Sequence, residues 1–445
     1  MKTKVRTAIG IATTLITLAG ASAIFAQDIP PLIIVTNTGT LPTNAVEMPA
    51  PTPAPSPFPP VLPDSPAPST NFQGLDDSHT TWPPDTDGCV GPNHVMTMLN
   101  TQVRIQNRTG TTNYSTVSLY DWWHARLSGT YTPFDPRLLY DPYSGRWIAT
   151  AATDAGRTTS AIIIAVSTNS DPTGGWYTYG FYVDTGGYSW ADFPTPGFNR
   201  DKVVVSWNYY PIYAGGAYGV GLFVLNKTNL YAGGSVSAQL IYQPYQSGTT
   251  TNGLNIRPAV SYNTNDSSIY LLQDFQDNPT NSSYLALYTI TGSAGAAVLT
   301  RSTNFPSAAA WASAGPNYGD IAPQQGITNR INTVDSRLSQ VVYRNDALWC
   351  AHTIFLPADN PTRSAVQWWQ IRTNGTVLQH GVLEDRSGVT FFAFPSIAVN
   401  RFGDALVNPS SSSGNRRCSR CSWPRGRLPR SSSRTSGPGS TRVSV

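Results

Sequence analysis

The sequence predicts an all-β chain, a β-propeller of about six to seven blades, with a β-sandwich or multi-domain β arrangement as the alternative. Short apolar runs such as "AIIIAVS", "KVVVSW", "SIYLLQ", "LALYTI" and "LSQVVY" sit between clusters of Gly, Asn, Asp, Pro and Ser, the pattern of brief strands joined by turns. Amphipathic helical periodicity of useful length is missing between 72 and 407. Finally, one phrase recurs at intervals of roughly sixty residues, the spacing of a radially repeated sheet.

Taken in chain order, residues 1–26 read as an export signal. Lys2, Lys4 and Arg6 precede an apolar stretch too short to span a bilayer, and small residues at Ala21, Ser22, Ala23 and Ala26 suit cleavage. Residues 27–71 form a linker whose 42–68 segment holds 11 prolines among 27 positions, a composition that cannot build a core and runs as an extended spacer.

The propeller is assigned to 72–407. Its recurring phrase is a proline, an apolar or aromatic residue at the fifth position and Asp or Asn at the sixth, followed by a turn and an apolar strand. Copies begin at Pro136, Pro194, Pro258 and Pro395 and end at Asp141, Asn199, Asn263 and Asn400. Proline suits the first residue of a strand, and Asp or Asn caps a turn by accepting a backbone N–H two residues on. A weaker unit has Pro323 at its front, and "GCVGPNHVMTMLNTQVRIQN" supplies an earlier one.

From 408 to 445 the composition changes to Ser, Arg, Pro and Gly, with eight arginines and no acid. Either a basic tail or a slip of reading frame gives this composition. The break falls inside a repeat, which favours the slip. The tail and the leader supply the whole positive excess of the +4 chain, so the body between them is acidic. A basic groove for nucleic acid is therefore not expected. No later stretch reaches the roughly 18 uninterrupted apolar residues of a membrane span, and the product is expected outside the cytoplasm: extracellular, at the cell surface or in the periplasm. Cys89 and Cys350 are left to pair or to stay as two buried thiols. The Cys418-x-x-Cys421 spacing lies in the tail without a second ligand pair.

The strings "WPPDTDGCVGPNHVMTMLN", "FDPRLLYDPYSGRWIA", "AVSTNSDPTGGWYTYGF" and "WADFPTPGFNRDKVVVSWN" resemble a family of exported bacterial β-propeller proteins of unassigned activity, loosely sialidase-like. "STNSDPTGGW" is a degraded Asp-box, with Ser167, Asn169, Gly174 and Trp176 in its places and two extra residues. A sialidase mechanism would need a glutamate, and only Glu47, in the linker, and Glu384 exist.

Candidate chemistry follows from what does not repeat. Asp141 aligns with three asparagines and so reads as a cap, whereas Asp135 and Arg137 have no counterparts and remain candidate catalytic residues together with Glu384. Asp184 with Asp192 is a second conceivable carboxylate pair. Asp85-x-Asp87-Gly offers oxygen ligands to Ca²⁺, the one cofactor considered. The doublets Trp122–Trp123 and Trp368–Trp369, read as strand residues, would each put one ring on an exposed face to hold a ligand. The expected role is a binding or adhesion module for extracellular glycan or protein. The alternative is a secreted carbohydrate-active hydrolase using aspartates in the funnel.

Overall fold

The computed structural model describes residues 70–414 apart from 77, 79, 246–253, 275–283 and 316–318, together with the backbone of short strands at 26–29, 33–37, 46–47, 416–419 and 443–444. Each copy of the recurring phrase runs along one strand, and that strand is the first of a small antiparallel sheet. The copies from Pro136, Pro194 and Pro395 lie on Pro133–Asp141, Ser189–Phe198 and Thr390–Val399. The copy from Pro258 spans Arg257–Pro258 and Val260–Ser261. Asp87–Val90 and Leu338–Arg344 begin the first and fifth sheets.

Six sheets follow in sequence order, each meandering from its first strand outward, as Pro133–Asp141, Arg146–Thr153, Ala161–Ser167 and Trp176–Tyr182 do in the second. The first strands point the same way round the axis. Where three of them touch, the pairing is parallel, Phe198 with Val260 and Val260 with Val342. This is a β-propeller, and its first strands line the centre.

Packing explains why so many strands are apolar on both faces instead of alternating. In "KVVVSW", Val203 and Val205 meet Ile148, Ile162 and Ile164 of the second blade. Val204, facing the other way, meets Leu271, Ala286 and Ile290 of the fourth. Further cores lie between blades one and two (Met96, Val103, Ala149, Ile163), four and five (Leu272, Leu287, Val341, Leu348) and five and six (Trp349, Trp368, Phe392, Val407). Each Val, Leu or Ile so buried contributes about 1.5–3 kcal/mol. Among the described residues no apolar cluster joins blade six to blade one, and Leu406 and Val90 are each 52% exposed.

Several sequence expectations change here. Pro323 does not front a blade. It lies in a hairpin, Asp320–Gln324 with Ile327–Asn332, inserted between blades four and five. The sixth hairpin does not dissolve at Asn408; Ala405–Ser413 stays paired with Thr390–Val399 to its end. Cys89 and Cys350 are both free thiols, and the Cys418–Cys421 side chains lie outside the described residues. The Trp122–Trp123 doublet is helical, on Leu119–His124, because Ser118 caps that helix by accepting the Asp121 N–H at 2.9 Å. No helix among the described residues is long and apolar enough to cross a membrane.

Candidate functional site

The first strands have two ends, and the phrase-ending residues occupy one of them. The Asp141, Asn199, Asn263 and Asn400 side-chain oxygens accept from the N–H of Tyr143 (3.0 Å), Asp201 (3.2 Å), Asn265 (3.0 Å) and Phe402 (2.9 Å), the turn cap that the repeat implied. Three of them also latch onto the next blade. Asp141 is fully buried and pairs with Lys227 at 2.7 Å. The Asn199 amide donates to the Ser267 and Ser268 carbonyls at 2.9 and 3.0 Å, and the Asn263 amide to Asp346 at 3.1 Å. The degraded Asp-box is likewise a turn, with Asn169 accepting the Asp171 N–H at 2.8 Å and the Trp176 indole donating to the Pro172 carbonyl at 3.0 Å.

The opposite end is where the chemistry gathers. Left-handed non-glycine residues mark every blade there: Asp85 (φ 43°), Asp135 (51°), Phe193 (57°), Asn255 (63°), Val334 (58°) and Phe394 (49°), with Asp154 (56°) a second one in blade two. Such residues cost about 1–3 kcal/mol each and persist only when their surroundings hold them. Five have their N–H taken by a side-chain oxygen: Asp135 by Asn100 (2.7 Å), Phe193 by Asp135 (3.2 Å), Asn255 by Asn208 (2.9 Å), Val334 by Asn332 (2.7 Å) and Phe394 by Thr353 (3.1 Å). Asp135, Phe193 and Phe394 stand directly before the phrase prolines, which ordinarily favour an extended preceding residue.

These kinks bring together acids from three blades. Asp135 is buried between Asp85 and Asp192, and each of those two hydrogen-bonds it. Burial first, and then the Asp135 charge, push the Asp85 carboxyl up to about 8 and that of Asp192 to about 7. Three carboxylates in such contact cannot all ionise, so the cluster holds protons at neutral pH. An Asn100 amide at 2.9 Å completes the shell of Asp85.

Beside the acids, three guanidiniums surround one ring. Arg137, Arg257 and Arg337 place their central carbons 4.9, 3.8 and 4.6 Å from the Phe193 ring centre. Arg337 forms a two-pronged pair with Asp335, both bonds 2.7 Å. That pair raises the Arg337 pKa although burial opposes it. Arg257 is 2% exposed, and burial reinforced by its two arginine neighbours makes its charge costly. Its Nε donates to the Leu338 carbonyl at 2.7 Å, but its Nη2 and the Arg137 Nε find no acceptor among the described residues. The loop carrying Asp335 and Arg337 is held from behind. There, the Ser336 hydroxyl bonds Asp274, the Ser336 carbonyl bonds His352 Nδ1 at 3.0 Å, and the Trp369 indole donates to His352 Nε2 at 3.1 Å. Burial lowers His352 to about 4, so it is neutral.

Of the residues singled out in the sequence, Asp135, Arg137, Asp85 and Asp192 therefore meet in the funnel. The others do not. Asp87 gives its oxygens to the Gly88 and Leu138 N–H groups at 2.9 and 3.0 Å, while Asp85 turns to Asp135, so the two do not converge on a cation. Among the described residues no three His, Cys, Asp or Glu side chains are grouped to hold a metal. Asp184 caps its own turn, accepting from Gly186 and Tyr188 at 2.8 and 3.0 Å. Glu384 lies just past the outer strand Val377–Leu383 of blade five, paired with Arg363 and Arg386 at 2.5 and 2.7 Å, which lowers its pKa despite burial. Trp122, Trp123, Trp368 and Trp369 are at most 5% exposed, so no ring of either doublet is presented to solvent. Each is consumed by inter-blade cores. Arg257 and Arg337 come from blades four and five and have no counterpart in the sequence reading.

No protein-family model and no curated protein matches the chain. Among solved structures it is similar to the GH43 endo-arabinanase from Bacillus licheniformis, at 16% identity and TM-score 0.31, covering 66% of this chain and 96% of that one. It is also similar to a subtype N10 neuraminidase-like protein of a little yellow-shouldered bat influenza A virus, at 11% identity and TM-score 0.36, covering 71% and 87%. Synechocystis apocarotenoid oxygenase is similar at 10% identity and TM-score 0.42, covering 74% and 66%. Likenesses this distant carry no argument about chemistry. The propeller architecture rests on the six sheets and the cores between them.

Proposed function

We propose that this chain is an exported propeller that binds a glycan in its central funnel, at the end of the first strands where Asp85, Asp135 and Asp192 meet Arg137 and Arg337. The observation that carries this reading is the contact of three carboxyls, Asp85, Asp135 and Asp192, two of them with raised pKa values, beside the guanidiniums over Phe193. A protonated carboxyl both donates and accepts, and a guanidinium donates in a fixed fork, a combination that matches the vicinal hydroxyls of a sugar.

A second reading, glycoside hydrolysis, draws on the same acids. Hydrolysis needs one carboxyl that keeps its proton near neutrality and a second that is ionised. Asp85 or Asp192, with raised pKa values, would serve as the acid; both hydrogen-bond Asp135, closer than the roughly 5–9.5 Å between the carboxyls of a glycosidase, which ranks this reading below binding. Affinity electrophoresis of the full chain in gels cast with plant and bacterial polysaccharides, with reducing-end release measured in parallel, separates the two. Retardation without release, lost in Asp135→Ala, is the expected result. Release that vanishes in Asp135→Ala would replace binding by hydrolysis, and neither effect with any polysaccharide would overturn both.

A further inference from the structure

One tryptophan is left in solvent, and it stands at the funnel. Trp82 is 82% exposed, whereas every other described tryptophan except the half-buried Trp190 is at most 5% exposed. It lies three residues before Asp85, in the stretch Trp82-Pro83-Pro84 that leads into the first blade. Three extended residues span about 11 Å at most between Cα atoms, so one ligand can meet both the indole and the Asp85 carboxyl. The loop is clamped to the funnel by one side chain, Asn100, in the turn between His94–Met98 and Gln102–Asn107. The Asn100 amide donates to the Pro83 carbonyl at 3.0 Å and to Asp85 at 2.9 Å. Its backbone N–H donates to the Pro84 carbonyl at 2.8 Å, and its side-chain oxygen accepts the Asp135 N–H at 2.7 Å. Asn100 therefore ties the backbone beside Trp82 to two of the three acids.

Packing does not account for this residue, because its indole lies outside every apolar core. A large flat ring held in water by two prolines and a clamp is preorganised, so a ligand that covers it costs little ordering. The ring suits a flat apolar surface, which the C–H-lined face of a pyranose provides. Hydroxyls at the rim of that sugar then reach Asp85 and Asp135. The surroundings also decide the charge of the sugar. Asp85, Asp135 and Asp192 adjoin one another, Arg337 is already paired with Asp335 by two 2.7 Å bonds, and Arg257 is 2% exposed. A carboxylate on the ligand would meet acids, with Arg137 alone to offset them.

We infer that Trp82 is the stacking platform of the funnel and that the sugar it holds is neutral, not a uronic acid. The inference rests on the glycan reading of the funnel. Its test is calorimetric titration of the full chain with trisaccharides of glucose, xylose, arabinose, galactose and galacturonic acid. A neutral trisaccharide is expected to bind, and trigalacturonate to bind about tenfold more weakly or not at all. Trp82→Ala should weaken the neutral sugar about tenfold, while Trp82→Tyr, which keeps a ring, stays within about threefold. Both variants should unfold at the temperature of the parent chain, because the side chain removed lies in solvent. Unchanged affinity in Trp82→Ala, with binding lost in Asp135→Ala, overturns the platform and leaves the funnel reading intact. Tighter binding of trigalacturonate than of every neutral sugar overturns the neutral class. Binding of no sugar overturns the platform and the funnel reading together. Self-association in sedimentation that Trp82→Ala abolishes, with sugar affinity unchanged, would assign the indole to a second copy of the chain.

Discussion

The two ends of the same six first strands are built on opposite rules. At the end marked by Asp141, Asn199, Asn263 and Asn400, one device repeats, and its polar atoms have partners in their own turn or in the next blade. At the other end a left-handed backbone repeats, with its N–H held by a side-chain oxygen in five blades, but the side chains placed there vary: Asp85, Asp135, Asn255 and Val334, with phenylalanine at 193 and 394. Repetition with satisfied hydrogen bonds is what ring stability requires. Unlike residues, proton-holding acids and guanidinium nitrogens without acceptors cost stability, and they persist where strain is held by surroundings that serve a function.

Substitutions at the two ends should therefore separate stability from ligand retention. The largest effect is expected from Asp141→Ala, which leaves Lys227 buried without its 2.7 Å partner. Denaturant unfolding should show a loss of about 3–5 kcal/mol. Asp135→Ala, at the opposite end, should abolish retention on glycan with a smaller stability change. Equal stability losses would break the division.

Next is pH. Asp85 and Asp192 have folded pKa values raised to about 8 and about 7 from an ordinary 3.8, so between those limits the folded state binds more protons than the unfolded one. Stability on their account is greatest below about pH 4 and is lost as pH rises through 7 and 8. Thermal unfolding across that range should show the fall, and Asp85→Asn should flatten it. A slope unchanged in Asp85→Asn would place the titration elsewhere.

Smaller again is Asn199→Ala, which removes a turn cap together with its amide bonds to blade four, at a cost of about 2 kcal/mol or less. The smallest is Glu384→Gln, at the rim of blade five, which should cost about 0.5 kcal/mol in unfolding and leave glycan retention unchanged. A loss of retention there would move the site away from the funnel.

How much was legible follows the range of each interaction. The Asp and Asn caps were readable because a cap binds an N–H two residues on, inside the quoted phrase. Asp135 and Arg137 were recognisable as exceptions to that phrase. Arg257 and Arg337 were not, because their relation to Arg137 is a shared ring, Phe193, and no local pattern marks it. A weaker signal was present: the left-handed residues Asp135, Phe193 and Phe394 all stand before the phrase proline. The tryptophan doublets misled for two reasons. Ser118-x-x-Asp121 is a helix-capping pattern that converts the first doublet to helix. In the second, Trp368 and Trp369 do face opposite sides of Arg363–Arg372, but in a propeller both sides of a sheet are interior.

By itself the sequence determined the strands, the turns between them and the repeating punctuation, because strand alternation, proline placement and side-chain capping act over a few residues. The meeting of Asp85, Asp135 and Asp192 and the gathering of arginines on Phe193 were decided only by tertiary structure. Those residues belong to different blades. Only the closing of sheets around an axis brings them within hydrogen-bond reach, removes their water and sets which of them keep a proton.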